Sequence, residues 1–109
     1  MEPNTQFKMG IILKEHSQEG KILFALCDED LIGKVFREDK MILNLESNFY
    51  NGTLTEESVI EENLKSAYIV NAVGEKSIQL LLDNGLADKD SVMYIDGIPH
   101  IQALITNDV

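Results

Sequence analysis

Two histidines, one cysteine and a few polar residues set in apolar stretches are the groups of this 109-residue chain that have chemistry to offer. His100 comes first. It lies in Ile95-Asp96-Gly97-Ile98-Pro99-His100-Ile101-Gln102, behind an Asp-Gly turn signal and a proline that fixes φ. A stiff backbone is therefore expected to hold it. An imidazole titrating near ~6.5 suits general acid or base work. In that role Asn71 or Glu75 would orient it, in a pocket that also holds Arg37. Cys27 is the second candidate. It precedes an expected helix start, where the helix dipole lowers a thiol pKa, but Asp28, Glu29 and Asp30 oppose a thiolate. A buried structural cysteine ending a strand is the commoner arrangement.

Other chemistries find no motif. His16 and His100 are far apart and lack a CxxC, HxH or HExxH context, and Asp28-Glu29-Asp30 lacks the alternating oxygens and glycine of a calcium loop. No metal or cofactor is expected. Gly74-Glu75-Lys76-Ser77 echoes the end of a phosphate loop, yet Glu75 intervenes and occupies the place of the anion. No Gly-x-Ser-x-Gly elbow is present. What remains is a polar set, Arg37, Asn71, His100 and Gln102, where apolar residues would pack. His100 and Gln102 are two apart and share one face of a strand. As buried groups the four would form a hydrogen-bonded network, the commoner case, or they would line a recognition site. Lys34, Arg37 and Lys40, with Tyr50 to stack, would make a small RNA contact, although interleaved Glu38 and Asp39 read as an ordinary solvated face.

Charge and composition narrow the classes further. Nineteen acidic against nine basic residues give a net charge of −10, a field that repels phosphate backbones and anionic lipid surfaces. Direct nucleic-acid binding is disfavoured. The chain, 44% hydrophobic, has enough residues for one core without disulfides. One cysteine, no apolar run near the ~20 residues that span a bilayer, and a polar start without signal-peptide layout point to a cytoplasmic protein with no membrane partner.

The elements that must position these groups follow from turn chemistry and periodicity. Residues 1–8 read as a flexible arm, 9–106 as one globular domain and 107–109 as a tail. Residues 10–16 and 21–27 form a hairpin across Ser17-Gln18-Glu19-Gly20. Asp28 caps a short helix that Gly33 ends, and residues 40–46 make a third strand. Thr55 caps a helix to about Ser66, with Ile60, Leu64 and Ala67 inward. Residues 67–73 are a buried strand or a continuation of that helix, and Glu75 to Asn84 form a helix closed by Gly85. Residues 92–95 lead into the Asp96-Gly97 hairpin. The expected class is α+β: a mainly antiparallel sheet with N-terminal and C-terminal hairpins and two to three helices, in a single domain.

Four blocks resemble, in order, those of a small archaeal family of conserved proteins with a domain of unknown function. They are Cys27-Asp28-Glu29-Asp30-Leu31-Ile32-Gly33-Lys34-Val35-Phe36-Arg37; Ser47-Asn48-Phe49-Tyr50-Asn51-Gly52; Ala67 to Glu75, with its Asn71-Ala72-Val73-Gly74-Glu75 core; and Gly97-Ile98-Pro99-His100-Ile101-Gln102. Asn51 departs from the pattern, standing where a glycine is expected. The resemblance implies an archaeal, free-standing cytoplasmic domain and directs attention to Gly33, Lys34, Arg37, Phe49, Tyr50, Asn71, Gly74, Glu75, Pro99 and His100. It implies no reaction. The expected function is a non-enzymatic module binding a protein or ribonucleoprotein partner through Lys34, Arg37, Tyr50, Asn71, His100 and Gln102. The alternatives are a small-molecule or nucleotide-processing enzyme using His100, and an RNA-associated accessory protein.

Overall fold

Turn chemistry sets both ends of the sheet. The structure, a computed structural model, describes residues 10–105, so the expected arm and tail lie outside the described residues. Near the C-terminus, β7 (Met93–Ile95) and β8 (Ile98–Leu104) pair antiparallel around Asp96 and Gly97, whose φ of 53° and 78° make the expected primed turn. At the N-terminal end, β1 (Ile11–Gln18) and β2 (Lys21–Asp28) pair around Glu19 and Gly20, with φ of 55° and 79°. The turn is two residues and not the expected four. Ser17 and Gln18 join the ladder, opposite Ile22 and Lys21.

Residues 69–73 settle as a strand. This β6 (Ile69–Val73) lies parallel to β2 and antiparallel to β8, so it is central and buried, as its near-continuous apolar run requires. With β5 (Thr53–Thr55) on the other side of β1, six strands run in the order β5-β1-β2-β6-β8-β7. Every pairing but β2–β6 is antiparallel. A separate hairpin, β3 (Val35–Glu38) with β4 (Met41–Asn44), turns at Asp39, φ 57°. The third strand is thus shorter than expected, and β3 is an addition to the sequence reading.

Two α-helices complete the fold. In α1 (Glu57–Leu64), Ile60 and Leu64 are buried on the expected stripe, together with Ala67 beyond its end. Its N-cap position is Glu56, not Thr55. Thr55 ends β5, and its hydroxyl donates to the Thr53 carbonyl at 2.7 Å. Thr55→Ala is therefore expected to cost less than about 0.5 kcal/mol, where loss of a true cap costs about 1 kcal/mol, as read from urea denaturation. The second helix, α2 (Glu75–Asp83), follows Gly74 as expected.

The short helix expected after Asp28 is only a 3₁₀ turn, Glu29–Leu31, and Asp28 makes no cap bond to it. Its carboxylate instead reaches α2. Asp28 Oδ1 accepts from the Ser77 N–H and the Ser77 hydroxyl, both at 2.8 Å, and Oδ2 accepts from the Lys76 N–H at 3.0 Å. Two of the orphan donors of α2 are satisfied from a strand end 48 and 49 residues earlier in the chain. Gly74 makes room for this: at φ 105°, a Cβ there would lie 2.3 Å from Asp28 Cγ.

The core is double. Phe24, Leu26, Val70, Ala72 and Ile101 pack under α1 and α2 with Ile60, Ile78 and Leu81. On the other side of the sheet, Cys27, Val73 and Ile95 pack with Leu31, Leu43 and Leu45, and Phe36 and Tyr50 close over them. The β3–β4 hairpin thus covers only one end of that second face. The rest is open.

Candidate functional site

Register fixes what the open face displays. Side chains alternate along a strand, and directly paired residues share a face. One row across the sheet is therefore His16, Leu23, Ile69 and Leu104, and the next is Lys14, Ala25, Asn71 and Gln102. A third runs Ile12, Cys27, Val73, His100 and Met93. The two carboxylates carried by the six strands, Glu15 and Asp28, pair with Phe24 and Ile11 and so belong to the helix side. In a chain of net charge −10, the open face of the strands has no acidic residue.

A 3₁₀ turn, Asn48–Tyr50, overhangs this face. Ser47 caps it, its hydroxyl accepting from the Phe49 N–H at 3.0 Å. His16 Nε2 lies 3.0 Å from the Phe49 carbonyl, and the two rings stack at 4.5 Å. Phe49 in turn meets Tyr50 edge-on at 4.9 Å. The turn, pinned this way to β1, puts Tyr50 beside Asn71, His100 and Gln102, around a depression of about 350 Å³. His16, which had no motif in the sequence, is a fastener of this rim.

The candidate residues thus divide. Tyr50, Asn71, His100 and Gln102 converge. Glu75 does not: it is exposed at the start of α2, in a separate depression with Gln79, Tyr94 and Pro99 on the helix side. Pro99 precedes His100 and points through the sheet the other way. Arg37 is exposed opposite Ile42, on the side of the β3–β4 hairpin that faces away from Phe36, Leu43 and the core. Lys34 is exposed too, its backbone tied to Leu31 and Leu45. The acid–base pocket of His100, Glu75 and Arg37 is not assembled. Nor is the polar network. Among the described residues no side-chain hydrogen bond joins Arg37, Asn71, His100 and Gln102, and the buried Nδ1 of His100 makes none within the protein.

Cys27 is fully buried, and its Sγ lies 3.4 Å from the Asp28 carbonyl. Burial foremost, then the charges of Asp28 and Asp30, push the thiol from 9.0 up to about 12. A neutral, enclosed thiol is no nucleophile. Tyr50 is raised as well, by burial and then by Cys27. The folded chain keeps the Cys27 proton where the unfolded chain has lost it. Stability is thus complete below the ordinary value of 9.0 and falls as pH climbs toward about 12. Urea midpoints at pH ~8 and ~10.5 should fall more steeply for the wild type than for Cys27→Ala, which has no thiol to ionise. Equal slopes would contradict this assignment. Among the described residues no cluster of three or more His, Cys, Asp or Glu could hold a metal, and no helix is long and apolar enough to cross a membrane.

Two helices on one side of a six-stranded, mostly antiparallel sheet, with a hairpin closing part of the other, define an α+β domain with an open polar sheet face. The chain belongs to the DUF424 family, described as proteins of unknown function, whose model matches residues 15–105. It is similar to the crystal structure of an uncharacterized conserved protein from Methanopyrus kandleri, an archaeon. The two share 28% identity and a TM-score of 0.75 over 91% of this chain and 95% of the other. A comparison with curated proteins gives no match. The family resemblance of the four sequence blocks is thereby established, and it brings no reaction with it.

Proposed function

We propose that this chain is a non-enzymatic binding module that docks a segment of a protein partner, alone or within a ribonucleoprotein, on the open face of its sheet. The observation that carries this reading is the composition of that face. In a strongly acidic chain its strands display carboxamides, imidazoles and two lysines, Lys14 and Lys21, without a carboxylate. Alongside runs an apolar row in which Leu104, 60% exposed, pairs with Ile69. Apolar anchors beside a donor-rich row suit a protein segment. Single-stranded RNA would call for aromatic platforms on the central strands, where this face has Leu23, Ala25, Ile69, Asn71 and Gln102. The acid–base alternative lacks its partners, since Glu75 and Arg37 lie away from His100. A single free cysteine, with no disulfide to form within the chain, fits a reducing, cytoplasmic setting.

Site-specific photo-crosslinking in a lysate of the native host tests the reading. A photoreactive residue replacing Leu104 is expected to give a discrete protein adduct, and one replacing the exposed Gln79 of α2 none. Adducts from position 79 alone, or from neither position, would overturn the proposal.

A further inference from the structure

The open face holds a depression of about 350 Å³ lined by Tyr50, Asn71, Ser91, Met93, His100 and Gln102. Register makes its floor. Asn71 faces Gln102 directly, and His100 lies between Val73 on one side and Met93 on the other. Two independent observations mark it as a site. First, His100 Nδ1 is the one buried side-chain nitrogen or oxygen among the described residues without a hydrogen-bond partner. Folding seldom leaves such an atom unpaired, because the lost solvation is not recovered. Nδ1 is shielded from solvent in the free chain, so it is a group that a ligand would complete by shifting the ring as it enters.

The second observation is the lining itself. Each of its polar side chains is able to donate a hydrogen bond: the hydroxyls of Tyr50 and Ser91, the carboxamides of Asn71 and Gln102, and the imidazole of His100. None carries a negative charge. An ionised carboxylate only accepts, through two oxygens with about four lone-pair positions. It would fit a ring of donors that has no competing acid. The charge of −10 does not forbid this, because exposed charges beyond ~8 Å are largely screened at physiological ionic strength. Over that range the donors of the depression decide.

We infer that this depression receives the carboxylate of an aspartate or glutamate from the docked partner segment, with the imidazole of His100 as its central donor. This rests on the reading of the open face as the docking surface and names the chemistry that face selects. Apolar neighbours of that acidic residue would lie along Ile69 and Leu104. No bond is made or broken.

The 109-residue chain with ¹⁵N-labelled histidine tests it by NMR, using three probes: acetate, a blocked pentapeptide with leucines flanking a central aspartate, and the same peptide with asparagine. The ring resonances of His100 are expected to shift saturably with the aspartate peptide, at about tenfold lower concentration than with acetate. The asparagine peptide should leave them unmoved, and His16, held in the Phe49 rim, should serve as the internal control. His100→Phe should abolish binding of the aspartate peptide, followed through Asn71 and Gln102 side-chain amide signals, while the backbone spectrum stays native. Equal response to the asparagine peptide would overturn carboxylate recognition. Equal affinity for acetate would replace the partner segment by a free carboxylate and overturn that part. No saturable shift with any probe would overturn the inference whole. Since crosslinking at position 104 is independent of these titrations, a failure here with an adduct there removes the carboxylate and keeps the docking face.

Discussion

Asp28→Ala is expected to lower the free energy of unfolding by about 3 kcal/mol, without altering the open face of the sheet. The buried carboxylate accepts three hydrogen bonds at the start of α2, from the N–H and hydroxyl of Ser77 and the N–H of Lys76. Ser77 is itself fully buried, so its two donors would be stranded away from water. Stranding a buried donor costs about 1–3 kcal/mol, and hydrogen bonds to a charged acceptor are the stronger kind. An ordinary N-cap sits next to its helix and contributes about 1 kcal/mol. Asp28 exceeds that because it ties the end of β2 to α2 across the chain. Gly74→Ala should be similarly harmful, since its Cβ would strike the same carboxylate at a positive φ. Asp28→Asn, which retains an acceptor oxygen of the same size, should recover part of the loss. Urea denaturation reads all three. A fall below about 0.5 kcal/mol for Asp28→Ala would show that α2 does not depend on this carboxylate.

Gln102→Glu is the second large effect, and it acts on binding rather than stability. Gln102 is exposed and pairs with Asn71 at the centre of the face, so a glutamate of similar shape fits the strand. Its charge would stand two residues from His100 on the same face. There it would repel an acidic partner and compete for the imidazole donor. Like charges brought together in an interface cost several kcal/mol, so partner affinity is expected to fall at least about a hundredfold. The urea midpoint should hardly move, as for most exposed substitutions. Both readouts are needed, since lost binding with lost folding would be uninformative.

How much of this was legible in the sequence depended on distance along the chain. The Asp96-Gly97 turn and the apolar stripes Ile60, Leu64 and Ala67 are local signals, and the structure carries them as expected. The strand β3 was hidden by Arg37 and Glu38, charges on an exposed strand whose core contribution is a single phenylalanine. Asp28 looked like a cap for the residues just after it, and only the fold reveals that its partners lie at 76 and 77. The same holds for the face. His100 and Gln102 shared a side by strand alternation alone, whereas the neighbourhood of Asn71 and Tyr50 required the pairing of β6 with β8 and the pinned 3₁₀ turn. Glu75 shares a sequence block with Asn71, and Arg37 ends a block of its own. The turn at Gly74 and the outward side of the β3–β4 hairpin carry them elsewhere.

The central claim is that the open sheet face, and not the helix side, binds the partner. It is tested most directly by the affinity of the isolated partner for three forms of the chain: wild type, Gln102→Glu, and Gln79→Glu as an equal charge change on α2. The predicted result is a loss of at least about a hundredfold for Gln102→Glu, with Gln79→Glu within about twofold of wild type. Equal affinities for all three, or a loss confined to Gln79→Glu, would contradict it.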